Sequence, residues 1–187
     1  MENISKKIVD ELFEKVCQGD RVAFQELNRL SENGNARAMS ALAKIYLKNL
    51  RGIKHSYKKA VELFEKAAAL NEPYALYRLG EFYRDAKCGF KQDGNKAAEY
   101  FIRAAKTNIV NPSDNIRYWS LAAAIYHYGE GGVLPDGQKA IELYEKQDQI
   151  ESQTDEGNDF ITAKALFQIA DIYIEGCGSV RPDGFKP

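Results

Sequence analysis

The sequence predicts an all-α solenoid of about nine helices arranged as consecutive antiparallel pairs. Three observations predict it: a motif that recurs along the chain, helical spacing of the apolar residues, and capping residues at fixed offsets. Tyrosines that each follow a small-residue helical run recur at intervals of 37, 43 and 47 residues: Tyr46, Tyr83, Tyr126 and Tyr173. Self-similarity at a period of roughly 20 to 50 residues is typical of a solenoid.

Each copy also carries a helix-capping residue ten positions after its tyrosine and a lysine three positions further on. The caps are Ser56, Asp93, Asp136 and Asp183, and the lysines are Lys59, Lys96, Lys139 and Lys186. In the first three copies an alanine follows the lysine, and an aromatic residue comes four positions after it: Phe64, Phe101 and Tyr144. We interpret each copy as a helix A that ends near the tyrosine, a loop, and a helix B that begins after the cap.

The elements follow in order from these signals. A divergent leading pair is predicted at 4–35, with helices at 4–18 and 21–32 that end at Gly19 and Gly34. Three repeats are predicted at 36–72, 73–113 and 114–157. Their A helices span 36–48, 73–85 and 115–128, and their B helices span 57–70, 94–107 and 137–149. A polar loop at 151–158 and a last A helix at 159–175 follow, the latter within an incomplete repeat at 158–187. We expect 1–187 to form a single repeat domain.

Helix packing and turn geometry explain which residue types recur within each copy. Small residues stand three positions before each tyrosine, where they let helices A and B approach closely: Ala43, Gly80, Ala123 and Ala170. The tyrosines and the aromatic residues of helix B supply large buried area. Gly129 and Gly131 allow positive φ where the chain leaves helix A.

Composition and charge argue against several classes of protein. The 187 residues are 44% hydrophobic and 28% charged, and the net charge of −1 argues against general nucleic-acid binding. No apolar run approaches the roughly 20 residues of a membrane span, and the N-terminus has no apolar signal-peptide core. Three widely spaced cysteines, Cys17, Cys88 and Cys177, are expected to be reduced thiols. We therefore expect a cytoplasmic protein.

Three motifs in these copies resemble the Sel1-like repeat (SLR) family, which is related to the tetratricopeptide repeats. They are Ala75-x3-Leu79-Gly80-x2-Tyr83, Gly129-x-Gly131-x-Val133-x2-Asp136 and Lys59-Ala60-x6-Ala67-Ala68. The resemblance covers roughly residues 36–186. It implies a right-handed superhelix of antiparallel helix pairs that serves as an adaptor or binding scaffold.

The sequence departs from this family pattern at several points. Lys48-Asn49-Leu50 and Ala86-Lys87-Cys88 replace the loop glycines of the first two repeats. Gln147-Asp148 replaces the alanine pair of the third repeat, so its B helix is expected to pack loosely or end early. The disulfide-paired cysteines of the secreted branch of the family have no counterpart here.

The residues that could form a phosphate, metal or catalytic site are better explained as turn residues and solvent-exposed helix faces. Gly129-Glu130-Gly131-Gly132 follows a helix and lacks the Lys-Ser/Thr ending of a phosphate loop. Neither His55 nor His127 has another potential metal ligand at the spacing of a metal site. The sequence also shows no spacing that is typical of a catalytic nucleophile and its base. Cys88 and Cys177 fall in equivalent loops, where they are expected to be exposed. We expect no catalytic residue, cofactor or metal.

Equivalent positions of successive A helices are expected to line the concave face of the solenoid. Partner-binding candidates at these positions are Arg37, Lys44, Tyr74, Tyr77, Glu81, Arg84, Arg117, Ser120, His127, Tyr128, Lys164, Phe167 and Asp171. Arg37, Arg117 and Lys164 would form a basic row, so a protein or peptide with an acidic surface is the expected partner.

Function therefore has one leading interpretation and two alternatives. The leading interpretation is a non-catalytic protein–protein interaction module that binds a protein or peptide through the concave face. The first alternative is an immunity protein that neutralises a cognate bacterial toxin, and the weaker one is an enzyme with no visible motif. Self-association is also expected at the C-terminal edge, where no following B helix covers the last A helix.

Overall fold

A computed structural model describes residues 2–48, 50, 52–107, 111–154, 163–178 and 180–182. These residues form nine α-helices: α1 (Glu2–Cys17), α2 (Arg21–Glu32), α3 (Ala36–Leu47), α4 (Tyr57–Ala69), α5 (Pro73–Arg84), α6 (Gly94–Ala105), α7 (Pro112–Tyr128), α8 (Gly137–Thr154) and α9 (Ala163–Glu175). They contain no β-strand, and Cys177 and Val180 form an isolated antiparallel bridge. The predicted all-α class is confirmed.

The chain divides into two compact units, Met1–Leu79 and Gly80–Pro187, with the boundary inside α5. In the first unit, α1, α2 and α3 share one apolar core that includes Val9, Phe13, Leu27, Leu42 and Ile45. In the second unit, α7, α8 and α9 share a core that includes Ala123, Ile141, Tyr144 and Ile172. Full burial of each large apolar side chain contributes roughly 1.5–3 kcal/mol. A single domain for the whole chain stays a prediction.

The predicted caps begin the three B helices. The Ser56 hydroxyl accepts from the Lys59 N–H at 3.3 Å, and the Asp93 carboxylate accepts from the Lys96 N–H at 3.0 Å. Asp136 makes the same bond to Lys139 at 3.2 Å. A cap of this kind stabilises its helix by about 1 kcal/mol. The fourth predicted cap, Asp183, lies outside the described residues.

Close approach between helices A and B depends on the small residues expected there. A β-carbon built on Gly80 would lie 2.6 Å from Cε1 of Phe101, so α5 and α6 can meet only if this position has no side chain. Ala43 and Ala123 are fully buried, as expected. Ala170 is exposed, because no B helix among the described residues covers this side of α9.

Adjacent repeats of the second unit also interlock through glycines. A β-carbon built on Gly131 would lie 2.6 Å from the Cα of Gly94, and one on Gly94 would lie 2.3 Å from the Glu130 carbonyl oxygen. The loop after α7 therefore rests directly on the first turn of α6. The Asp-Gly pairs at Asp93 and Asp136 are the sequence signal of this contact, since each glycine directly follows a cap.

Two predicted helix boundaries are wrong. Helix α7 begins at Pro112 and not at 115, because the Asn111 side chain accepts from the Ser113 N–H at 3.1 Å and Pro112 suits a first turn. Helix α8 continues to Thr154 where a loop was expected from 151, since 150–154 contain neither glycine nor proline. The expected early end at Gln147-Asp148 does not occur. The predicted start of the last helix, 159–162, lies outside the described residues.

Candidate functional site

A cavity of about 290 Å³ lies among α7, α8 and α9 in the second unit. Its lining consists of Ser113, Ile116, Arg117, Ser120, Leu121, Gln147 and Lys164. The five α7 residues recur three or four positions apart, which places them on one face of that helix. Three predicted site residues, Arg117, Ser120 and Lys164, are thus brought to one cavity.

The cavity is basic at its rim and apolar in its wall. The side chains of Arg117 and Lys164 are exposed, whereas Ile116 and Leu121 are partly buried. Among the described residues, the lining contains two cationic side chains, Arg117 and Lys164, and no carboxylate. A guanidinium and an ammonium can each bind a carboxylate through charge-assisted hydrogen bonds.

Gln147 belongs to the cavity but was not predicted as a site residue. It occupies the position of Ala67 and Ala104 in the two preceding B helices, and its side chain is only 1% exposed. The larger side chain brings an amide to the cavity wall where the other repeats have a methyl group. The departure from the repeat pattern is the available signal, but by itself it predicts only a B helix that packs loosely or ends early.

A polar and aromatic cluster lies at the other end of α7 and α9. The Tyr128 hydroxyl donates to Oε1 of Gln168 at 2.8 Å, and the Tyr144 hydroxyl donates to the same oxygen at 3.3 Å. His127 stacks on Tyr128 with ring centroids 4.1 Å apart. The Gln168 Nε2 donates to Asp171 at 3.5 Å. Predicted residues His127, Tyr128 and Asp171 are therefore joined by Gln168 and Tyr144, which were not predicted.

Burial sets the protonation of this cluster. It lowers the pKa of His127, against the smaller opposing effect of Asp171 and Glu175, so the imidazole is neutral near pH 7. Burial also raises the pKa of the Tyr128 hydroxyl, and Asp171 and Glu175 raise it further. The pKa of Tyr144 is raised for the same leading reason. Both phenols are therefore neutral hydrogen-bond donors.

Arg84 is held by carboxylates at the end of α5. Its Nε lies 2.7 Å from Asp85 Oδ1 and 3.8 Å from Glu130 Oε2. The hydrogen bond from Arg84 lowers the pKa of Asp85 to about 2. The predicted residue Arg84 thus anchors the loop after α7, and the neighbouring candidate Glu81 is partly buried.

Two predicted residues of the first unit, Arg37 and Lys44, contact side chains of α1. Arg37 Nη2 lies 2.8 Å from the Asp10 carboxylate, which offsets its charge. Lys44 Nζ lies 4.3 Å from the Phe13 ring centroid and 4.9 Å from that of Tyr74. Burial, followed by the charge of Lys48, lowers the pKa of Lys44. Lys44 therefore acts here as a cation between two rings.

Two predicted exposures are not found. Tyr77 is one of the partner-binding candidates expected on the concave face, but it is only 6% exposed and packs near Tyr74, with ring centroids 5.9 Å apart. Cys177 was expected to be exposed, but it is 8% exposed with its Sγ 3.2 Å from the His127 carbonyl oxygen. Phe167, in contrast, is 66% exposed as expected.

The described residues lack two other features that would indicate a particular kind of site. They contain no group of three or more His, Cys, Asp or Glu side chains that could hold a metal ion. Nor does any helix in this part of the chain have the length and apolar character needed to cross a membrane.

Comparison with known families matches the chain to the Sel1 repeat over residues 36–72, 73–107 and 118–146. The resemblance predicted from the repeat motifs is confirmed. The chain's fold is similar to the crystal structure of a Sel1 repeat protein from Oxalobacter formigenes, with a TM-score of 0.59 and 24% sequence identity over 79% of this chain and 97% of that one. This likeness confirms the predicted α-solenoid class.

Curated relatives are longer proteins. Over 185 aligned residues the chain is 29% identical to chitin synthase regulatory factor 3 of Schizosaccharomyces pombe, covering 86% of this chain and 18% of that protein. A stretch of 60 residues is 38% identical to the ERAD-associated E3 ubiquitin-protein ligase component HRD3A of Arabidopsis thaliana, covering 32% of this chain and 9% of that protein. The chain thus spans less than a fifth of the length of either relative.

Proposed function

The chain belongs to the Sel1 repeat family, and from this premise we propose that it is a non-catalytic protein–protein interaction module. Sel1 repeat proteins bind protein partners, which supports the general assignment. We place the binding surface on the side of α7 and α9 that carries Arg117, Ser120, His127, Tyr128, Lys164, Phe167 and Asp171. We call this surface the α7/α9 face.

One observation carries the proposal: the cavity that brings Arg117, Ser120 and Lys164 together. Its volume of about 290 Å³ lies near the lower limit for small-molecule sites, which enclose roughly 300–1,000 Å³. A cavity of this size accommodates one or two side chains of a partner. The two cations at its rim favour an acidic residue of that partner.

Exposed aromatic area on the α7/α9 face supports a protein ligand. Tyr128 is 58% exposed and Phe167 is 66% exposed. Aromatic and arginine side chains supply much of the binding free energy at protein interfaces, where truncation of one often costs about 2 kcal/mol or more. Both rings project from the helices that also carry Arg117 and Lys164.

The geometry of His127 also favours binding over catalysis. Its Nδ1 faces the Tyr144 hydroxyl at 3.4 Å. Tyr144 is itself 2% exposed, so a substrate would reach this hydroxyl only after rearrangement of the core.

A charge-reversal experiment tests the proposal. The full chain captures its partner from cells, and binding of that purified partner is then measured by calorimetry. We expect the double variant Arg117→Glu, Lys164→Glu to weaken binding at least tenfold, with unchanged helicity. The matched control, Glu142→Lys, reverses an exposed charge on α8 outside the cavity lining. Loss of binding in the control together with full binding by the double variant would assign the partner to a different surface.

Inhibition of a toxin stays a prediction under the same proposal. If the captured partner is an enzyme, its activity is measured with and without an equimolar amount of the chain. An inhibitor would abolish the activity, whereas an adaptor would leave it unchanged.

A further inference from the structure

Three side chains on one side of α9 are exposed at positions that are covered in the other A helices. Leu166 is 54% exposed, Tyr173 is 43% exposed, and Ala170 between them is exposed as well. Because these residues are four and three positions apart, they lie on the same side of the helix. We call them the α9 stripe.

The equivalent stripes of α3 and α7 are covered. The residues seven and three positions before each tyrosine are buried there: Met39 and Ala43 in α3, and Trp119 and Ala123 in α7. The tyrosines themselves, Tyr46 and Tyr126, are partly buried. The α9 stripe is exposed because none of the described residues forms a helix B against it.

Helix B covers the stripe of α7 through recurring contacts. Ala140 and Tyr144 of α8 belong to the same apolar core as Ala123 of α7. The Lys139 Nζ lies 5.1 Å from the ring centroid of Tyr126. These three residues of α8 thus cover both the small residue and the tyrosine of the stripe.

The same contacts recur between α3 and α4. Ala60 and Phe64 of α4 are fully buried, and the Lys59 Nζ lies 5.2 Å from the ring centroid of Tyr46. A helix that covers this type of stripe therefore carries a lysine, an alanine directly after it, and an aromatic residue four positions after the alanine. We call this spacing the B-helix pattern.

Helix α9 and the loop after it have the arrangement of a complete A half. The Gly137 N–H donates to the Cys177 carbonyl oxygen at 3.2 Å, so this loop rests on the first turn of α8. The loop after α7 rests on the first turn of α6 in the same way. The α9 stripe therefore continues the series of A-helix surfaces that B helices cover. Asp183 and Lys186, at the cap and lysine positions of this repeat, lie outside the described residues.

We propose that the α9 stripe binds an amphipathic α-helix of a partner protein that carries the B-helix pattern. The aromatic side chain of that helix packs against Ala170, as Phe101 packs against Gly80, and its lysine lies over the ring of Tyr173. The small Ala170 side chain allows the two helices to approach closely. The α9 stripe lies on a different side of α9 from Lys164, Phe167 and Asp171. The inference therefore goes beyond the proposed function and does not depend on the α7/α9 face.

A labelled peptide with the sequence of residues 93–107, which contains α6 and its cap, is the probe. We expect it to bind the full chain saturably in fluorescence anisotropy. It should also gain helicity on binding, because an isolated helix of this length is marginal in water. The control peptide exchanges Glu99 and Phe101, which keeps the composition but moves the aromatic residue out of the B-helix pattern. Its binding should be weaker by at least about tenfold.

Variants of the chain locate the peptide. Ala170→Arg places a long side chain on the α9 stripe and should weaken peptide binding by at least about tenfold. Phe167→Arg is the matched control, because it makes the same change at an exposed position of α9 on the α7/α9 face. It should leave binding unchanged. Both positions are exposed, so circular dichroism should show unchanged helicity in both variants.

Three outcomes would contradict the inference. Absence of peptide binding, or full binding by Ala170→Arg, would show that the α9 stripe does not bind this helix and would leave the α7/α9 face untested. Loss of binding in Phe167→Arg alone would place the helix on the α7/α9 face, in support of the proposed function. If the peptide does not bind and Ala170→Arg prevents dimers of the chain, the occupant of the α9 stripe is a second copy.

Discussion

Lys96 lies over the ring of Tyr83, with its Nζ 5.2 Å from the ring centroid. The same contact recurs in the neighbouring repeats, at 5.2 Å for Lys59 over Tyr46 and 5.1 Å for Lys139 over Tyr126. In each case the N–H of the cap residue donates to the tyrosine carbonyl, as from Asp93 to Tyr83 at 3.0 Å. That bond brings the first turn of helix B over the end of helix A. The contact explains why tyrosine and lysine recur thirteen residues apart.

We expect a measurable coupling between Tyr83 and Lys96. In a double-mutant cycle of Tyr83→Leu and Lys96→Met, urea unfolding should give a coupling free energy of about 0.5–1 kcal/mol, the usual size of a partly exposed cation–π contact. The control is Lys106→Met, because Lys106 follows the opposite end of α6. A coupling for Lys96 no larger than that for Lys106 would contradict the contact.

Glycine substitutions should stabilise the loop of the second repeat. Ala86 and Cys88 have positive φ, 52° and 56°, and they correspond to Gly129 and Gly131, both with φ of 70°. A residue with a β-carbon is strained there by about 1–2 kcal/mol, partly offset by the unfolded-state entropy of glycine. We expect Ala86→Gly and Cys88→Gly each to raise the free energy of unfolding by about 0.5–1 kcal/mol.

The control for these glycines is Ala170→Gly, at an exposed position inside α9. Glycine in a helix costs roughly 0.5–1 kcal/mol, so this change should lower stability. Chemical denaturation monitored by circular dichroism measures all three variants. If Ala86→Gly and Cys88→Gly both lowered the free energy of unfolding, the loop conformation would favour alanine and cysteine over glycine, and the prediction would be wrong.

The buried carboxyl of Glu72 should make stability depend on pH. It is 7% exposed and accepts hydrogen bonds from the Ser40 hydroxyl and, at 2.7 Å, from the Ala75 N–H. Burial raises its folded pKa above the ordinary 4.5, so the folded state binds a proton more tightly than the unfolded state. Stability from this group is therefore present at low pH and is lost as pH rises from 4.5 through the raised folded pKa.

Urea unfolding between pH 4.5 and pH 8 measures this slope. Glu72→Gln should remove the contribution and flatten the profile, since glutamine still accepts from Ala75 but does not titrate. Glu65→Gln, which removes a charge from the exposed side of α4, is the matched control. An unchanged profile in Glu72→Gln would assign the pH dependence to other groups.

The three cysteines should react at different rates. None of the three forms a disulfide, and Cys177 is buried whereas Cys17 and Cys88 are partly exposed. Burial raises the pKa of Cys177, which further reduces its thiolate fraction. A thiol reagent should modify Cys17 and Cys88 first in the native protein and all three in denaturant. Fewer than three thiols in denaturant without reductant would contradict the expected reduced state and the cytoplasmic location.

The apolar side chains of α9 that no described residue covers should promote self-association. Leu166 is 54% exposed, Tyr173 is 43% exposed and Ile174 is 71% exposed. Large exposed apolar side chains on one helix are often part of a contact site. We expect sedimentation velocity to detect dimers at high protein concentration, and Leu166→Lys with Ile174→Lys to abolish them. A monomer at every concentration, with α9 amides as protected as those of α7, would refute this expectation.

Local features were readable from the sequence because they depend on residues a few positions apart. The caps Ser56, Asp93 and Asp136 and the burial of Phe64, Phe101 and Tyr144 follow the predicted pattern. The predicted helix boundaries were wrong in two places. At α7 the side chain of Asn111 caps an earlier start, and at α8 a polar segment without a helix breaker extends the helix. A local pattern indicates that a helix can form, but does not specify every end.

Contacts between elements were decided only by the tertiary structure. The sequence places Tyr77 and Tyr128 at exposed positions of equivalent helices, yet one is 6% exposed and the other 58%. It shows Gln147 only as a break in a repeat, whereas packing makes it a wall of the cavity between Arg117 and Lys164. Exposure and cavity shape depend on how closely neighbouring helices approach, and that distance is set by all the side chains between them together.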